Sequence, residues 1–280
     1  MPAAVPVAVL TAALLHAIWN ALSHAAADKA ARTVMINLVY TACGALIACA
    51  TPVPEARAWP FLIASALLQA VYQWLLLQAY RLGDFGQMYP IARGTSPWLV
   101  ALASTVVLGE ALPAGQALGV LVISLGLAGL ALADGLPGRA QWPALAAALG
   151  TGVMIASYTV VDGTGVRDAG TVLGYIGWMF LLQGPVLPLL ALARWRGRFG
   201  ERIRVGWRTG VLGGVLSLAA YGLVVGAQAY GDLASIAALR ETSIVIAAVI
   251  GVVVFRERLG RWRLVASAVV LGGIAVLELA

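Results

Sequence analysis

Charge is scarce in this sequence. Only 11% of its 280 residues are charged against 61% hydrophobic, with a mean hydropathy of +0.92. Soluble domains carry about a quarter charged residues, so a soluble globule is excluded. Cysteine is almost absent. Cys43 and Cys49 sit in one apolar run, which leaves no disulfide framework or zinc site and reads as free, buried thiols. Lysine occurs once, at Lys29, so no phosphate-binding loop with its lysine is present and an ATP-driven pump is not expected. Neither a His-Glu-x-x-His helix nor a Gly-x-Ser-x-Gly elbow occurs. Gly163-Thr164-Gly165 lacks the third glycine and the preceding strand of a dinucleotide site and reads as an interhelical turn. The pairs Gly83-Asp84 and Gly231-Asp232 fall in expected loops on opposite faces, where two aspartates could not share a water. The chain is therefore not expected to be an enzyme, and no cofactor or metal is expected.

What is present is apolar runs of membrane-spanning length. At about 20 residues per span plus a short loop, the chain accommodates ten. They are placed at 4–23, 33–51, 59–80, 86–108, 114–133, 142–162, 170–192, 209–229, 233–255 and 262–279. The breaks include Pro52-Val53-Pro54-Glu55, Asp134-Gly135 and Arg256-Glu257-Arg258. The first run has no basic segment ahead of it and reads as a permanent span, although Ala25-Ala26-Ala27 follows it. Trp59, Trp142, Trp195, Trp207 and Trp262 fall at span ends, where an indole sits half in the headgroups.

The net charge of +6 and isoelectric point of 9.7 lie in short loops, which makes them a topology signal and not a nucleic-acid surface. Loops after the odd-numbered spans hold 14 basic residues, among them Lys29, Arg32, Arg81 and Arg139, whereas the opposite loops hold Arg57 and Arg167. That bias places both termini outside the cytoplasm.

The sequence also repeats itself. Gln78-Ala79-Tyr80 recurs as Gln228-Ala229-Tyr230, and Arg93 with Thr95-Ser96 recurs as Arg240 with Thr242-Ser243. Glu110-Ala111-Leu112 recurs as Glu257-Arg258-Leu259, and from Arg93 onward the offset is a constant 147. The halves, 1–135 and 136–280, then hold five spans each. An odd number makes the second copy enter from the opposite side, as in the inverted repeats of alternating-access transporters. The expected fold is an all-α polytopic membrane protein of ten transmembrane helices in two inverted five-helix repeats.

His16-Ala17-Ile18-Trp19-Asn20, Tyr89-Pro90-Ile91-Ala92-Arg93-Gly94, Leu108-Gly109-Glu110 and Phe255-Arg256-Glu257-Arg258-Leu259 resemble the drug/metabolite transporter superfamily, in its ten-helix EamA-like branch. The resemblance covers essentially the whole chain. It implies a central cavity lined by the first four helices of each half, in a bacterial-type inner membrane, and suggests export of small polar metabolites such as amino acids. Members of the branch are expected with cytoplasmic termini, opposite to the loop charges. Uptake or exchange of an organic anion, phosphonates included, is the alternative reading; a lipid scramblase, a channel or an intramembrane enzyme ranks below it. Monomer and homodimer both remain open.

Ionisable residues inside spans are expensive and should face a wet cavity or a partner. Arg93 and Arg240 each lie about two turns into their spans, with Glu241 beside Arg240. Neighbours on a helix project about 100° apart, so Arg93 is the partner to expect for Glu241. Two arginines against one carboxylate leave a positive charge that a substrate anion would match through a guanidinium fork. The substrate-binding candidates are His16, Trp19, Asn20, Tyr72, Gln73, Tyr89, Arg93, Tyr158, Trp178, Tyr221, Arg240 and Ser243, with Trp74, Ser96, Trp98, Tyr175 and Gln183 as further cavity candidates. Protons are the candidate coupling ion, carried by Glu241, His16 or Asp162, although Asp162 is close enough to a span end to be solvated. Pro90, Pro97, Pro185 and Pro188 are expected kinks or hinges. Gly170/Gly174, Gly210/Gly214 and Gly222/Gly226 permit close helix contact.

Overall fold

The computed structural model describes residues 3–24, 28–83, 85–110, 112–132, 138–255 and 261–279. Asp84, Ala111, Asp134-Gly135, the stretch Arg256 to Leu259 and Ala25-Ala26-Ala27 lie outside the described residues. Among those described there is no strand. The helices are α1 (Ala4–His24), α2 (Lys29–Ala50), α3 (Trp59–Leu82), α4 (Phe85–Leu108), α5 (Ala114–Ala131), α6 (Trp142–Arg167), α7 (Val172–Gln183), α8 (Val186–Trp195), α9 (Phe199–Arg204), α10 (Trp207–Gln228), α11 (Leu233–Arg240), α12 (Thr242–Phe255) and α13 (Arg261–Leu279).

Among the described residues, seven stretches are long and apolar enough to cross a membrane: 29–50, 56–82, 87–108, 114–131, 139–167, 172–204 and 207–228; shorter apolar helices cover 4–20 and 264–277. Large apolar side chains stand exposed along them, including Leu67, Val106, Val107 and Leu189. That is the arrangement for which hydrocarbon, and not water, is the solvent.

Helix starts follow ordinary capping chemistry. The side chains of Asp28, Thr171 and Asp232 accept from the backbone N–H of Ala31, Gly174 and Ser235, satisfying donors that the first turns of α2, α7 and α11 leave over. Asp232 is thus a helix cap.

Two expected spans are interrupted. The run 170–192 breaks at Gly184-Pro185 between α7 and α8, because proline has no N–H for the ladder; Pro188 lies inside α8. The run 233–255 breaks at Glu241, where Glu241 N–H bonds to Ala238 O and Ile244 N–H to Glu241 O, each at 3.0 Å in a tight i to i+3 turn. The Thr242 hydroxyl takes the Leu239 carbonyl at 2.6 Å, competing with the helical ladder. α4 runs uninterrupted through Pro90 and Pro97. Gly163-Thr164-Gly165 is helical, within α6, and not the expected turn.

The helices form two compact units, and each draws on both halves of the sequence. One comprises Val71–Val160 and Gly231–Ala280. In it α5 lies along α13, and α4 packs against α5 and α11. Gly119 and Gly126 bring the α5 and α13 backbones together, since a Cβ on either would meet Leu277 or Val270 at 2.8 Å.

The other unit comprises Pro2–Ala70 and Val161–Tyr230. α1 packs on α10, and α2 on α7, α8 and α10. Gly170 and Gly174 press on Glu55 and Pro52, and Gly210 and Gly214 on Met35 and Val39 of α2, whereas Gly222 and Gly226 have room for a Cβ. Two loops are tied together here, with Glu55 N–H donating to Ala169 O and Arg57 Nε to Asp168 O, both at 3.0 Å. The core centres on Leu62, Tyr175, Met179, Phe180 and Val225.

Arg32 is not a loop residue. It is buried on α2, and its guanidinium donates to the carbonyls of Leu22 and Thr209. Cys49 is exposed and Cys43 half-buried, so neither is the buried thiol expected. Trp142, Trp207 and Trp262 are exposed at helix starts, in keeping with anchors. Trp59 instead packs edge-on against Trp178, with ring centroids 4.9 Å apart.

Candidate functional site

The first unit holds a buried charge cluster at the α11–α12 break. Arg93 projects from α4, where Ser96 donates back to the Arg93 carbonyl at 3.2 Å. Arg93 Nε reaches Glu241 Oε2 at 2.9 Å, and Nη2 lies 3.4 Å from Ser243 Oγ. Arg240 Nε stands 3.9 Å from Glu241 Oε1, too far for a hydrogen bond. Arg93 is 5% exposed, Arg240 4% and Glu241 0%. The expected partnership of Arg93 with Glu241 forms, and the neighbour Arg240 makes the weaker contact, as helix geometry requires.

The cluster is unevenly satisfied. Among the described residues, Nε and Nη2 of Arg240 and Oε1 of Glu241 have no hydrogen-bond partner. Two guanidinium groups and one carboxylate leave one positive charge over, and a buried charge without a matched partner is destabilising. Tyr72, Tyr89 and Tyr158 surround Arg93 closely enough to interact with it electrostatically. Tyr72 and Tyr158 meet edge-on at 5.6 Å. Gln73 is half-buried on the same stretch of α3. Trp74 and Trp98 are 59% and 44% exposed.

The second unit has a different polar centre. Asp162, on α6, is fully buried and not at a solvated span end. It accepts hydrogen bonds from Tyr221 of α10 at 2.6 Å and Tyr175 of α7 at 3.0 Å. Tyr221 also packs against Phe180, 6.3 Å between centroids. Tyr175 and Tyr221 lie 13 and 59 positions from Asp162 along the chain, so their spacing does not join them.

On α1 of this unit, Trp19 Nε1 donates to His16 Nδ1 at 3.2 Å, and their rings stand at 89°. Trp19 is therefore a partner of His16 and not merely a neighbour on its face. Asn20 is half-buried one residue on. Trp178 packs on the core with Trp59, and among the described residues its indole N–H has no hydrogen-bond partner. Gln183 is buried near the end of α7.

The basic stretch near α9 is tied down at one point. Arg202 Nε bonds to Asp28 Oδ2 at 3.0 Å, and its guanidinium lies 4.0 Å over the Trp195 ring. Burial pushes the Asp28 carboxyl up, but the Ala31 N–H and the Arg202 guanidinium outweigh it and hold the group below its ordinary range.

Residues 142–279 match the sequence model of the EamA-like transporter family. No curated protein matches the chain. A solved crystal structure of a protein shares the fold from end to end, with a TM-score of 0.78 and 19% identity over 100% of this chain and 98% of that one.

Proposed function

The chain belongs, through residues 142–279, to the EamA-like transporter family of the drug/metabolite transporter superfamily, and from that premise we propose that it is a secondary transporter for small polar metabolites bearing an anionic group. It is a multi-pass membrane protein, and the membrane we assign it to is a bacterial-type inner membrane. Amino acids are the leading substrates, moved outward by alternating access between two inverted five-helix repeats. The loop charges support placing both termini outside.

The observation that carries the substrate class is Arg240. The residue is 4% exposed, and among the described residues its Nε and Nη2 lack hydrogen-bond partners. A carboxylate, phosphate or phosphonate oxygen would satisfy those donors in the fork geometry that guanidinium favours. Arg93, held by Glu241, would set the second wall, with Ser243 and the phenols of Tyr72, Tyr89 and Tyr158 around it.

The test is thermal stabilisation of the purified protein by amino acids, organic acids, phosphonates and lipophilic cations, repeated on Arg240→Lys. A ligand at 100 times its dissociation constant stabilises by about 2.7 kcal/mol. The expected result is stabilisation by an anion-bearing compound that is lost in R240K while folded yield is kept. Stabilisation by cations alone, or equal anion binding in R240K, would sink the reading. The same assignment requires counterflow of the stabilising compound in proteoliposomes.

A further inference from the structure

Three groups were candidates for carrying a coupling proton, and their surroundings separate them. Glu241 already has its cation, with Arg93 at 2.9 Å. His16 is half-buried and uses Nδ1 to accept the Trp19 indole N–H. Asp162 is fully buried, and its two oxygens are met by the hydroxyls of Tyr175 and Tyr221. Ser65 of α3, also fully buried, is the third hydroxyl beside it. Among the described residues no arginine, lysine or histidine comes within ion-pair distance of this carboxyl group. Arg167, five residues along α6, turns its guanidinium to the Gln228 carbonyl at 2.9 Å.

We propose that Asp162, clasped by Tyr175 and Tyr221, is the proton-binding site of this protein. A buried carboxylate without a counter-cation is destabilised, and neutral hydroxyl donors offset that cost only in part. A proton supplies the missing charge and needs no further ligand, whereas sodium would demand several oxygen lone pairs where phenol O–H groups are aimed as donors. Proton uptake turns the –COO⁻ group into –COOH, and one of the phenols becomes an acceptor as the acid proton is placed. Nothing is oxidised, and the proton comes from water on whichever side the site opens to. The inference gives the transporter reading its coupling ion and rests on that reading for its purpose, not for its detection.

The experiment is infrared difference spectroscopy of the full-length protein in lipid, between acidic and alkaline pH, with no substrate present. A protonated carboxylic acid gives a C=O stretch well separated from amide bands. That band is expected in the wild-type protein and should be absent in Asp162→Asn. In Tyr221→Phe, which keeps the carboxyl group, the band should move to higher frequency as the acid loses a hydrogen bond. A band that survives in D162N belongs to another group, such as Glu241, and overturns the proposal, as does no band in the wild-type protein. Should D162N fail to fold, an unshifted band in Y221F overturns it equally. A wild-type band erased by sodium at fixed pH makes the site a sodium site instead. Failure of anion binding at Arg240 with the Asp162 band intact would reject the transport reading and leave the proton site standing.

Discussion

Glu241 and Asp162 are the same functional group under two regimes. Each is fully buried. Glu241 is held by Arg93 at 2.9 Å with Arg240 at 3.9 Å, whereas Asp162 is met by two phenols and, among the described residues, no cation. On the proposals made above, the first site takes an anion and the second a proton. Burial does not distinguish the two carboxyl groups; the charge of their partners does.

The largest effect should come from breaking the first regime. Glu241→Gln leaves Arg93 and Arg240 buried with no counter-charge, which should lower stability by about 3–5 kcal/mol. Denaturant unfolding of the purified protein in detergent measures it. Adding Arg240→Gln to that variant should recover part of the loss, because one of the two stranded charges is removed. If E241Q unfolds no earlier than wild type, the cluster is wet, and its charges are matched by solvent.

The second regime should break more gently. Asp162→Asn keeps one carbonyl acceptor and supplies an amide that the other phenol oxygen can accept, so the loss should be about 1–3 kcal/mol, the range for a buried donor left poorly paired. The same unfolding measurement applies. A loss equal to that of E241Q would mean that Asp162 is permanently ionised and matched by an unrecognised cation, and the comparison would collapse.

The charge cluster was legible in the sequence, whereas the phenol clasp was not. Arg93, Arg240 and Glu241 stand out because charges are rare in apolar runs, and the constant offset of 147 ties the two arginines together. The clasp joins Asp162 to residues 13 and 59 positions away, and spacing gives the face of a helix without its rotation. The span placed at 142–162 ends on Asp162, whereas α6 runs on to Arg167 and carries the residue inside the helix. Arg32 lies just before the span placed at 33–51, yet α2 begins at Lys29, and the Arg32 guanidinium turns inward to two carbonyls. The break at Glu241 involves no proline or glycine, so a hydropathy profile passes over it. It becomes intelligible once Thr242 is seen to take the Leu239 carbonyl.

The smallest expected effect supplies the solvent-exposed limit of the same comparison. Asp28 combines a helix cap with an ion pair to Arg202, and its side chain is 34% exposed. Unlike Glu241, it is wet, so its pair with Arg202 is worth roughly 0–1 kcal/mol and its cap roughly 0.5–2. Asp28→Ala should therefore cost about 1 kcal/mol at neutral pH. Because folding lowers this carboxyl group below its ordinary value of 3.8, its contribution is fully present above that value and is lost as the pH falls through the folded value. Wild type and D28A should thus differ in melting temperature at pH 7 and converge on acidification below about pH 4. Raising salt at neutral pH should shrink the ion-pair part of the difference and spare the cap. A difference that persists unchanged at low pH would assign the residue's whole effect to the hydrogen bond with Ala31, which a protonated carboxyl oxygen still accepts, and would show that charge at the surface contributes nothing to holding α9 against α2.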